Sequence, residues 1–194
     1  MTEHTSFVNP VADTSGPLDR LRTATRALHE ELDLQLPLAR PGAGRNDYLN
    51  HLRTLQPWLA AVTPLLSRTG WGEGLAALAA RDLAQAGEPV PAPWDLQPHR
   101  HAGVPGFDWG VAYVAEGSQL GGQVLYRRLA AALAPLQADY LRGRGDATGA
   151  HWRDFLQALR GALTTPPTTD AACDGAVWAF TTLIDNYKKQ GLMA

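Results

Sequence analysis

The sequence predicts an all-α fold, one domain of seven or eight helices around a single core. Three observations carry this. The chain holds 31 alanines and 28 leucines against nine valines and one isoleucine. Alanine and leucine favour helix, whereas β-branched residues favour strand. Apolar residues recur at spacings of three and four, and no segment sustains the alternation of a strand. The 19 glycines and 14 prolines gather mostly between the periodic segments, where they act as punctuation. A length of 194 residues suits one domain.

The elements follow in order. Met1 to Gly16 has neither a basic nor an apolar stretch of the secretory kind and reads as a flexible arm, so the helical domain is expected over residues 17–194. The first helix opens at Pro17, carries Leu18, Leu21, Thr25, Leu28 and Leu32 on one face, and closes at Leu36-Pro37. Asn46 or Asp47 caps a second helix, which Pro57 and Pro64 should kink or split. A third is expected from about Glu73 to Ala86, and Gly87 to Pro105 is a proline-rich connection. A fourth, longer helix covers roughly Asp108 to Leu133, and a short segment reaches Leu141. Trp152, Phe155, Leu156, Leu159 and Leu163 mark the next helix. Thr164 to Thr169 is a break, and Asp170 caps a last helix running to about Lys189.

Composition narrows the function. Apolar residues make up 45% and charged residues 19%, as in a globular domain. A formal charge of −2 supplies no basic field for nucleic acid. No run of about 18 apolar residues is present, so no membrane span is expected. One cysteine makes neither a disulfide framework nor a thiolate metal site, which suits a cytoplasmic setting.

Two features invite chemistry. His29 stands at the edge of the first apolar face, with Asp33 one turn on. A carboxylate there accepts one ring N–H and fixes the tautomer of a metal-ligating imidazole, although the same pair also occurs on ordinary helix surfaces. Gly117, Gly121 and Gly122 fall inside one helix, where each costs about 1 kcal/mol relative to alanine. Either a neighbouring helix approaches closely there, or a flat ligand lies on bare backbone. Arg22, Arg26 and Arg160 are candidates to meet acidic substituents or simply part of a solvated face.

Together these segments carry a resemblance. Leu21-Arg22-Thr23-Ala24-Thr25-Arg26-Ala27-Leu28-His29 is similar to the proximal helix of haem oxygenases. Gly117-Ser118-Gln119-Leu120-Gly121-Gly122-Gln123-Val124-Leu125 resembles their glycine-rich distal helix. The resemblance spans roughly Pro17 to Tyr187 and is most specific in the glycine run. It implies haem b, both substrate and cofactor, held between the two helices and opened to biliverdin with release of carbon monoxide and ferrous iron. Oxygen and an external reductant such as ferredoxin or ascorbate are implied with it. On this resemblance His29 is the proximal iron ligand and Asp33 its partner. Arg22, Arg26 and Arg160 meet the propionates, Gly117, Gly121 and Gly122 line the haem, and Gly117, Ser118 and Gly121 form the catalytic face.

One departure stands out. Many haem oxygenases carry an aspartate where this chain has Ser118, and a hydroxyl does not buffer a proton at neutral pH. Glu116 is the nearest other acid. The form of the glycine run looks like the bacterial branch associated with phytochromes, which implies delivery of biliverdin as a chromophore. Two other readings stay open. One is a haem carrier or sensor without turnover; the other is a related helical enzyme or interaction module acting elsewhere.

Overall fold

The structure is a computed structural model and describes residues 16–97 and 99–194. Apart from Gly16, the expected N-terminal arm lies outside the described residues. Seven α-helices and two short 3-10 turns form the fold, with no strand among the described residues. The helices are α1 (Pro17–Gln35), α2 (Arg45–Thr69), α3 (Leu75–Gln85), α4 (Phe107–Leu133), α5 (Asp139–Arg142), α6 (Thr148–Ala162) and α7 (Pro166–Lys189). None is long and apolar enough to cross a membrane.

The first helix starts and stops where its prolines dictate. Pro17 occupies the first turn, and Leu36, extended before Pro37, ends the helix. Helix α2 differs from expectation at both its start and its middle. It begins at Arg45, and Asp47 reaches back from the third position to accept the Gly44 N–H at 2.9 Å, so neither Asn46 nor Asp47 is the cap itself. Pro57 and Pro64 do not split it. Each proline in a helix interior costs about 3 kcal/mol. Here Tyr48, Leu52, Leu55, Trp58, Leu59, Val62 and Leu66 are buried against α3, α4 and α7. That burial outweighs the backbone cost.

The last helix also starts earlier than expected. It opens at Pro166, with Thr165 as its cap and the Thr168 N–H donating to Thr165 Oγ1 at 3.4 Å. Proline needs no N–H partner in a first turn, so the proline-threonine break is largely the beginning of α7. Asp170 does not cap it. Asp170 lies beyond the first turn and forms an ion pair with Arg20 of α1.

Helix α7 is the spine on which α1 and α4 both lie. Along α1, Arg20 meets Asp170, His29 meets Phe180, and Glu31 meets Lys188, so α1 and α7 ascend together. Along α4, Gly106 abuts Thr168 and Gly110 abuts Ala172 and Ala176, in the same sense. The close approach of α4 and α7 depends on glycine. A methyl on Gly110 would stand 1.9 Å from the Ala172 carbonyl oxygen, and one on Gly175 would stand 2.1 Å from that of Phe107. By contrast α1 and α4 do not pack along each other. They stand side by side on α7 with a gap between them.

Candidate functional site

The gap between α1 and α4 collects most of the residues that the sequence singled out. Near one end the Arg22 guanidinium of α1 lies close enough to the Tyr113 hydroxyl of α4 to interact with it electrostatically. Burial pushes that phenol above its ordinary value, and Arg22 partly offsets the rise. His29 is seven residues beyond Arg22, and Gly121 is eight beyond Tyr113. Both therefore lie about two helical turns further along parallel helices. His29 and Gly121 thus lie on the same side of the Arg22–Tyr113 approach, each about two turns beyond it.

On the α1 side, His29 Nδ1 lies 3.0 Å from Asp33 Oδ2. Its ring stands edge-on to Phe180 at 5.9 Å between centroids. The imidazole is 62% exposed, and its Nε2 makes no hydrogen bond among the described residues. An i,i+4 carboxylate that holds Nδ1 leaves Nε2 presented outward with its lone pair available. Arg26 is exposed on the same helix.

On the α4 side the glycines do different jobs. A methyl on Gly121 would meet nothing within 4 Å, so this backbone borders open space. A methyl on Gly117, one turn earlier on the same face, would sit 3.6 Å from the Trp152 ring. Gly122 is turned by the helical rotation of about 100° per residue and is buried against the α5 backbone, where a methyl would stand 3.4 Å from the Leu141 carbonyl oxygen. Gly122 therefore serves close helix approach. The contacts that glycine makes obligatory between helices are at Gly110 and Gly175; Gly121 carries none.

Ser118 is partly exposed beside Gly121. Its hydroxyl donates to the Ala115 carbonyl at 2.6 Å and lies 2.9 Å from the Tyr140 hydroxyl. Glu116 does not turn toward the gap. It is 2% exposed, accepts the Gly72 N–H at 2.7 Å and lies 3.0 Å from His151 Nε2. It ties α4 to α6 and to the turn after α2. Arg160 is exposed in the last turn of α6. That end of α6 borders Asp108 and Trp109 at the start of α4, more than two turns before Gly117.

Sequence reasoning passed over four residues here. Tyr113 lies one turn before Gly117 on the same helix, a spacing that could have marked it. Tyr140, His51 and Tyr187 come from three different helices and left no pattern. They form a buried cluster behind Ser118. The Tyr187 hydroxyl is hydrogen-bonded to His51 Nδ1 at 2.7 Å, and the two rings stack. Burial pushes the His51 imidazole down to about 4 and the Tyr140 phenol up to about 12. Both groups are neutral at pH 7.

Among the described residues no three metal-ligating side chains converge, so His29 is a single donor. His99 and His101 pack on Phe107 and Asp174 respectively. Two surface cavities, of about 340 Å³ beside Arg68 and Asp108 and about 370 Å³ beside Arg81 and Gln119, contain neither His29 nor Gly121.

No family model matches the sequence, and no curated protein matches it. A solved structure does. The chain is similar to the NO- and CO-bound haem oxygenase of Neisseria meningitidis, with a TM-score of 0.67, 23% identity, and coverage of 92% of this chain and 94% of that one. The all-helical arrangement of α1 to α7 is thus the haem oxygenase fold.

Proposed function

We propose that this chain is a haem oxygenase that opens haem to biliverdin, carbon monoxide and ferrous iron. The observation that carries the proposal is the gap itself. One wall offers an imidazole whose Nδ1 is held and whose Nε2 is not. On the neighbouring helix α4, Gly121 offers main chain on which even a methyl group would touch nothing. Neighbouring walls that share a fold rarely leave such a slot unfilled by side chains. A flat macrocycle with one axial ligand fits it.

In this reading each residue has a task. His29 Nε2 binds the iron, and Asp33 fixes the tautomer that makes this possible. Bound haem supplies the oxygen chemistry and is itself the substrate. Gly121, with Gly117, keeps side chains off the opposite face so that a small diatomic ligand fits between ring and helix. Trp152 walls the slot at Gly117. Arg22, held against Tyr113, offers a guanidinium to the carboxylates at the rim. Arg26 adds charge on the same helix, and Arg160 is too far along α6 to carry that task alone. Ser118 contributes a hydroxyl beside Gly121. A ferredoxin-type donor, or ascorbate in vitro, supplies electrons, and the cytoplasm is the proposed setting. The glycine-run resemblance extends the proposal to biliverdin supply for a bacterial phytochrome.

The test is direct. Hemin is titrated into the purified protein, then ascorbate or a ferredoxin-based system is added in air. Loss of the Soret band with growth of biliverdin absorption is expected. A Soret band that persists through reduction would identify a carrier or sensor instead. No Soret shift on adding hemin would remove both readings.

A further inference from the structure

We infer, resting on the haem reading above, that Tyr140 is a positioning residue for Ser118: its phenol donates to the Ser118 oxygen and fixes that hydroxyl as an acceptor, so the distal helix offers the cleft a lone pair and not a proton.

The direction follows from what each atom is able to do. A carbonyl oxygen only accepts, so the 2.6 Å contact between Ser118 Oγ and the Ala115 oxygen takes the serine proton. That proton is then unavailable to Tyr140, 2.9 Å from the same oxygen. Tyr140 must be the donor. Its phenol keeps its proton at neutral pH, because burial has raised its pKa to about 12. Behind it stands Gln119, whose side-chain nitrogen is buried with no hydrogen-bond partner among the described residues.

Tyr140 has little freedom to swing away. It is 2% exposed. Its backbone N–H donates to Asp82 Oδ2 at 2.8 Å, and the Tyr48 phenol donates to the same oxygen at 2.6 Å. The Asp139 N–H takes the other oxygen at 2.9 Å. The result is a directed chain from Tyr140 through Ser118 to the Ala115 carbonyl. One lone pair of Ser118 remains, on a residue one turn from Gly121. A water there donates to Ser118 and keeps its second proton for its other neighbour. This gives the serine a defined role where many haem oxygenases carry an aspartate.

The first experiment uses the protein without haem. A slowly exchanging low-field hydroxyl proton is expected in its NMR spectrum, absent in Tyr140→Phe. Ser118→Ala should move it upfield, and Ser118→Thr, which keeps the acceptor, should leave it near its original place. A Tyr140 proton indifferent to Ser118→Ala overturns the inference, even if Tyr140→Phe fails to fold. The second experiment follows the pH midpoint of the acid-to-alkaline absorbance change of the haem complex. Ser118→Ala should lower it by roughly half a pH unit, what a hydrogen bond of ordinary strength is worth. Tyr140→Phe should lower it by no more, and the double variant should match Ser118→Ala. An added effect of Tyr140→Phe in the Ser118→Ala background would show that Tyr140 does not act through Ser118. Failure to form any haem complex would sink the haem reading and leave the NMR result to judge the tyrosine–serine pair alone.

Discussion

Gly110 lays its backbone against Ala172: a methyl group built on it would stand 1.9 Å from the Ala172 carbonyl oxygen. Gly121, eleven residues on in the same helix, would carry a methyl into open space. The two glycines therefore answer opposite tests. Gly110→Ala must push α4 off α7 and should destabilise the protein by about 2–4 kcal/mol. Gly121→Ala removes only the entropic cost of a helical glycine and should stabilise the haem-free protein by roughly 0.5–1 kcal/mol. The same substitution should weaken hemin binding, because the methyl enters the slot. Urea midpoints of the two variants, with a hemin titration of the second, check all three statements. A Gly121→Ala variant that binds hemin as the parent does would place the ligand elsewhere.

Asp82 is fully buried and accepts three hydrogen bonds, from the Tyr48 phenol and from the N–H groups of Asp139 and Tyr140. It thus fastens α5 to α2 and α3. Asp82→Ala leaves three buried donors without a partner and should cost about 3 kcal/mol or more. Asp82→Asn keeps the volume but sets an N–H where an acceptor is needed, so it should recover only part of this. Equilibrium urea unfolding of both variants decides the point. A loss below about 1 kcal/mol for the alanine variant would mean that water replaces the carboxylate.

His29 and Asp33 are both largely exposed, their side chains 62% and 68% accessible. Neither holds the fold together, so their substitution should change stability by less than about 0.5 kcal/mol. Their effect should be confined to haem. His29→Ala should remove the imidazole-ligated spectrum and turnover. Asp33→Asn should retain ligation with a shifted ferric spectrum, since an amide cannot stabilise the donated ring N–H as a carboxylate does. Full activity in His29→Ala would end the ligand assignment.

Periodicity exposed the helices because each buries one face; the leucines of α2 and the alanines of α7 do this at regular spacing. The same logic failed at helix starts. Pro166 and Pro167 read as a break because proline punctuates most chains, yet a first turn accommodates them. Within the candidate site, His29, Asp33 and the glycines were legible because they share single helices. The Ser118–Tyr140–His51–Tyr187 cluster was not, because it joins α4, α5, α2 and α7, and only tertiary packing brings such positions together. Glu116 shows what adjacency in sequence leaves out. It is the acid nearest to Ser118, two residues before it, and two residues of helix rotation turn it to Gly72 and His151.

The His51 imidazole supplies a pH test of that hidden cluster. It packs against the Tyr140 and Tyr187 rings and shares a hydrogen bond with the Tyr187 phenol at Nδ1. Both phenols are raised by burial, so neither offers it a negative charge. In the unfolded chain this histidine takes a proton near pH 6.5, and in the folded protein only near 4. Between those values the unfolded state holds more protons, so its contribution to stability is present above about 6.5 and is lost as pH falls toward 4. The loss is at most about 3 kcal/mol, an upper bound because the ring keeps some contact with water. His51→Gln does not titrate and still offers Tyr187 a hydrogen-bond partner. Its stability should therefore fall less than that of the parent between pH 7 and pH 4.5, as read from urea midpoints at the two values. Equal falls in both proteins would show that His51 already exchanges its proton freely with solvent, and that the cluster behind Ser118 is open to water.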